Sequence, residues 1–82
     1  MVNNKYKRIE SYTVVFEAAP EGGYVARVPS LPGCATQGET FEEAQANVKD
    51  AILGYLDALQ ELSEEVPYEP EGTIVTRIQA NR

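Results

Sequence analysis

Histidine and tryptophan are absent from this 82-residue chain, cysteine occurs once, and thirteen acids outnumber seven bases. The lack of histidine removes the commonest general base, the usual partner of a nucleophilic Ser or Cys, and the commonest metal ligand. With Cys34 alone, neither an internal disulfide nor a Cys-based zinc site can form. The shortage of bases leaves a net charge of −6, which repels a phosphate backbone and favours cationic partners, so direct nucleic-acid binding is not expected. No apolar run approaches the roughly 18 residues needed to cross a bilayer. The opening MVNNKYKR is basic but lacks the apolar middle of a secretion signal, so a cytoplasmic protein is expected, with residues 1–8 a flexible basic terminus.

What is present is patterned. With 43% hydrophobic residues the chain is no disordered polymer, and its length allows a single domain, 1–82, with one core. In Thr40–Leu62 the residues Phe41, Ala44, Val48, Ala51, Ile52, Tyr55, Leu56, Leu59 and Leu62 recur at steps of three and four. That spacing lines one stripe of an α-helix. Thr40 and Glu43 form a capping-box pattern, with Glu42 and Glu43 at the positive end of the dipole. The Pro- and Glu-rich stretch 63–72 ends the pattern and reads as a linker, stopping the helix near Glu64.

Strand signals flank this helix. Ile9–Ala18 alternates with period two, Pro20-Glu21-Gly22-Gly23 is turn chemistry, and Tyr24–Val28 returns as a hairpin. The register that puts Tyr24, Ala26 and Val28 on the even-numbered face keeps Arg27 out of the core and places it near Glu17 as a surface ion pair. Pro29 and Pro32 exclude a central ladder between them. Cys34–Gly38 is a short third strand and Thr73–Ala80 a last one. The expected fold is α+β, β-β-β-α-β: a four-stranded mixed sheet in the order 3-2-1-4, with the last strand parallel to the first and one long helix on one face.

The opposite face would carry Thr13, Val15, Glu17, Val25, Arg27, Val75 and Arg77, too apolar for a routine wet face and too polar for a core. These residues are either β-formers facing water or a contact surface for another chain. The acids Glu61, Glu64, Glu65, Glu69 and Glu71 read as a solvated helix end, or as complementary potential for a basic partner. Candidate partner-binding residues are therefore Val15, Glu17, Val25, Arg27, Val75 and Arg77, together with Glu61, Glu64 and Glu65. Cys34 reads as a small buried hydrophobe. Gly22, Gly23 and Gly33 are turn glycines, since none opens a helix as a phosphate cradle would. The outer strands Cys34–Gly38 and Thr73–Ala80 expose edges, and one of them is expected to pair across a homo-oligomer interface. No catalytic, cofactor-binding or metal-binding residues are expected.

Several runs resemble a known family. Tyr12-Thr-Val-Val-Phe-Glu17, Glu21-Gly-Gly-Tyr-Val-Ala-Arg-Val-Pro29, Leu31-Pro-Gly-Cys-Ala-Thr-Gln-Gly38 and Thr40-Phe-Glu-Glu-Ala44, with Asn47 and Ala51-Ile52, are similar to the HicB antitoxin family of type II toxin–antitoxin systems. The likeness covers roughly residues 10 to 60. It implies a partly degraded RNase H-like domain that binds and neutralises a small basic ribonuclease toxin, HicA, and often oligomerises. Two departures stand out. Ser30 occupies a position where many members carry Asp, which weakens the case for leftover nuclease chemistry. The chain also ends at Arg82 without an appended DNA-binding segment, so direct promoter binding is not expected. A metal-dependent nuclease would need several carboxylates converging on two ions, whereas Glu17 is the one acid well inside a strand. A residual nuclease and a stand-alone self-associating domain remain the alternatives to an antitoxin.

Overall fold

The computed structural model describes residues 10–82. The expected strand start at Ile9 and the basic segment 1–8 lie outside the described residues. Within that range the order is β1 (Val15–Ala18), β2 (Tyr24–Arg27), β3 (Ala35–Gly38) and α1 (Phe41–Glu61). The strands form one antiparallel sheet in the order β1-β2-β3.

The hairpin register matches the sequence reading. Phe16 faces Ala26 and Ala18 faces Tyr24 across β1 and β2, so the even-numbered residues share the core side. Glu17 and Arg27 make a 3.4 Å ion pair on the other. The turn closes through hydrogen bonds from the Ala19 and Gly22 N–H groups to Gly23 and Ala19 carbonyls, at 2.9 and 3.0 Å. Gly22 and Gly23 both take positive φ there.

β1 is shorter than its alternation promised, and the reason lies in the opposite strand. Continuing the Val15–Arg27 register would pair residues 10–14 with residues 28–32, which curl into a tight loop instead. In that loop Val28 N–H donates to the Cys34 carbonyl, Leu31 N–H to Val28 and Cys34 N–H to Leu31, all at 2.9–3.0 Å. The curl drives Leu31, fully buried at 0% exposure, into the core beside Ala26, Val28, Cys34 and Val48.

The helix packs on β3 and β2. Ala44 and Val48 are buried, and Ala51, Ile52, Tyr55 and Leu56 pack around the core, as the stripe predicts. Phe41 is 39% exposed but stacks on Phe16 and Tyr24 with ring centroids 4.7 and 6.1 Å away. The Thr40 hydroxyl accepts from Glu43 N–H at 3.0 Å, while the Glu43 carboxylate accepts from Glu39 N–H, one residue earlier than a strict capping box. The helix stops at Glu61, short of Glu64, in a Schellman motif. Ser63 sits at φ +57, its N–H bonds the Gln60 carbonyl, and Glu64 N–H bonds Leu59 at 2.9 Å. Leu62 ends exposed.

One expectation is overturned. Residues 73–80 form no strand and pair with nothing in the sheet, so the order 3-2-1-4 does not stand. The segment is exposed throughout, with Ile74 at 84%, Val75 at 66% and Ile78 at 83%. Its departure follows from the turn before it: Gly72 takes φ +88 and the Thr73 hydroxyl donates to the Pro70 carbonyl at 2.9 Å. This closes residues 70–73 into a turn instead of letting them run on along β1. Among the described residues, no helix is long and apolar enough to cross a membrane.

Candidate functional site

The sheet has one face under the helix and one that the helix leaves open. On the open face the register brings Val15 opposite Arg27, Glu17 opposite Val25, Val25 opposite Gln37 and Arg27 opposite Ala35. Val15 and Val25 are half-buried, while Glu17 and Arg27 are exposed. The result is a small apolar centre bordered by one acid and one base. Such an arrangement suits protein contact: the valines offer area to exclude water, and the ion pair can exchange its solvent-exposed partners.

Of the nine candidate contact residues, Val15, Glu17, Val25 and Arg27 are thus brought together. Val75 and Arg77 are not. They were expected beside β1 on a fourth strand and instead ride on the exposed segment beyond Gly72. Glu61, Glu64 and Glu65 lie exposed at the last residue of α1 and the turn after it, a separate acidic patch.

A polar cluster that the sequence reading missed sits at the end of the open face. Both Glu69 carboxylate oxygens are engaged: Oε2 accepts from the Thr13 N–H at 2.7 Å and the Ser30 hydroxyl at 2.9 Å, and Oε1 from the Thr13 hydroxyl at 2.7 Å. The ladder ends at Val15, so Glu69 takes a backbone N–H that the sheet leaves open. The Thr13 backbone bond, with help from the two hydroxyls, holds the Glu69 carboxyl below its ordinary range. Nearby, the Tyr12 hydroxyl donates to the Pro67 carbonyl. Stretch 63–72 is therefore not a plain linker: its middle is tied back to the lead-in of β1. The only sequence hint was an acid flanked by prolines, Pro67-Tyr68-Glu69-Pro70, where the backbone has few ways to turn.

Other polar features are absorbed by the fold. An open groove of about 610 Å³ lies between the hairpin turn and the start of α1. Its Glu43 carboxylate is bound to Glu39 N–H, and its Asn47 amide donates to the Gln37 carbonyl at 2.8 Å. Cys34 is buried in the core, and burial pushes its thiol pKa up, the opposite of what a reactive thiolate requires. The Tyr55 hydroxyl donates to the Pro32 carbonyl at 2.8 Å, fastening the Leu31 loop to the helix.

Comparison with known proteins bears on this geometry. The family model described as a HicB-like antitoxin of bacterial toxin–antitoxin systems matches residues 12–81. A UPF0150 protein of Thermoplasma acidophilum is 46% identical over 56 residues, covering 68% of this chain and 81% of that protein. Another UPF0150 protein, from Synechocystis, is 45% identical over 69 residues, covering 84% of this chain and 85% of its own length. Antitoxin HicB of Escherichia coli is 43% identical over 56 residues, which are 68% of this chain and 41% of that longer protein.

Proposed function

The chain belongs to the HicB-like antitoxin family of bacterial toxin–antitoxin systems, and on that premise we propose that it binds and neutralises a small basic ribonuclease toxin of the HicA type in the cytoplasm. Its work is masking by contact, without catalysis. The RNase H-like ancestry suggested by the sequence would then survive as a scaffold, with Glu17 serving an ion pair instead of a metal.

One observation carries the reading. All thirteen acids lie between Glu10 and Glu71, against only two bases in that stretch, Arg27 and Lys49. The folded body is therefore far more acidic than the whole-chain charge suggests. An acidic body with a half-apolar sheet face that the helix leaves open is complementary to a basic partner, which it would attract at long range and hold at short range. In this reading Val15, Glu17, Val25 and Arg27 contact the toxin directly. Glu61, Glu64 and Glu65 raise the encounter rate, and self-association through a strand edge accompanies binding.

The test is co-expression with a HicA-type toxin, each chain carrying a different tag. Rescue of growth and recovery of both chains through either tag is the expected result. Val25→Asp should abolish recovery while leaving the helical circular dichroism intact. Failure of the unaltered chain to rescue or to co-purify would overturn the reading.

A further inference from the structure

The exposed segment 73–80 and the outer edge of β1 are two halves of one unmade contact. Ile74 and Ile78 alternate with Val75, Arg77 and Gln79 in a strand-like pattern, yet both isoleucines are more than 80% exposed. Eight extended residues span about 26 Å, enough to run along β1 and its lead-in. β1 has a sheet partner on one side only among the described residues. The chain reaches residue 73 next to that lead-in: Ser11, Tyr12 and Thr13 line a cleft of about 250 Å³ together with Glu69–Thr73. There it turns away at Gly72.

We infer that residues 73–80 are an exchanged arm: in solution the arm of one copy adds as a fourth strand to the β1 edge of a second copy, which returns its own arm. Charge selects this occupant. The segment 73–82 carries two bases, Arg77 and Arg82, and no acid, whereas residues 10–72 hold every acid in the chain. A second copy offers the arm an acidic body with an open edge, while a basic partner would repel it. The exchange is reciprocal and closed, as a two-fold interface requires. It also leaves the open sheet face, with Val25 and Arg27, free for another partner. The inference rests on the self-association part of the preceding reading, and adds the segment that makes the contact and the edge that receives it.

Light scattering of the full-length chain at micromolar concentration should give about twice the 9.0 kDa chain mass. The double substitution Ile74→Asp, Ile78→Asp should give the single mass with unchanged helical circular dichroism, because both side chains lie outside the core. A bifunctional thiol reagent should then join Glu17→Cys in one tagged copy to Arg77→Cys in a differently tagged copy; the buried Cys34 serves as the slow background. Carrying both cysteines in one chain, diluted into excess unaltered protein, should lower the yield at least tenfold. A dimer indifferent to the isoleucine substitutions would overturn the arm while leaving self-association standing. An undiminished cross-link within one chain would overturn the exchange, and a monomer under every condition would overturn both. Toxin capture by the monomeric variant judges the antitoxin reading separately.

Discussion

Leu31 shows how much a single side chain can organise. It lies between Pro29 and Pro32 in a stretch that reads as loop, yet it is wholly buried and closes one end of the core. Leu31→Ala should cost about 2–5 kcal/mol, the range for a buried leucine leaving a cavity, read as a lower urea midpoint at constant slope. Glu69 acts at the same scale through charge. Its carboxyl is held below its ordinary range in the folded chain, so the unfolded chain takes up the proton first as pH falls. Its contribution is complete above the ordinary glutamate range and is lost as pH drops through the lowered folded value. Glu69→Gln should flatten the acid limb of the stability–pH curve in that window by lowering stability above it, with little change at the acid end, where the Glu69 carboxyl is already protonated. Because the group is partly exposed, the effect should stay small.

At the scale of elements, two junctions set the geometry of α1. Gly38 ends β3 so close to the first turn of the helix that a Cβ there would lie 2.4 Å from the Ala44 backbone nitrogen. Gly38→Ala should therefore destabilise by about 3 kcal/mol, since backbone and not a pliable side chain must move. At the other end Ser63 holds the left-handed position that glycine occupies at most such helix ends. Ser63→Gly should stabilise by about 1 kcal/mol by relieving the Cβ penalty, measured as a higher urea midpoint. The two substitutions have opposite signs for one reason: close approach demands glycine at the first site, whereas the second merely prefers it.

For the whole molecule the governing quantity is the separation of charge. The acids are confined to the body and the remaining bases to its two terminal segments, so long-range attraction toward a basic partner is directional. The association rate with a HicA-type toxin should fall steeply between low and physiological salt, as screening shortens the reach of the field to about 8 Å. A rate indifferent to salt in stopped-flow mixing would remove electrostatic steering from the account. Self-association through the arm should depend less on salt, because apolar burial and backbone hydrogen bonds dominate an added strand.

Local pattern alone determined the helix, its cap, the hairpin and the register. Each is set by residues near in sequence: the three-and-four spacing from Phe41 to Leu59, Gly22-Gly23 at the turn, and the cost of burying Arg27. The open face with Val15, Glu17, Val25 and Arg27 follows from that register and was legible for the same reason. Only the tertiary structure decided the rest. The lead-in before Val15 loses its ladder because its opposite residues curl around Leu31, 55 residues separate Tyr12 from the Pro67 carbonyl that it binds, and Glu69 finds its partners at Thr13 and Ser30. Alternation in residues 73–80 predicted a fourth strand beside β1, yet the segment pairs with nothing in the sheet, because strand pairing depends on the receiving edge and the approach to it as much as on the segment.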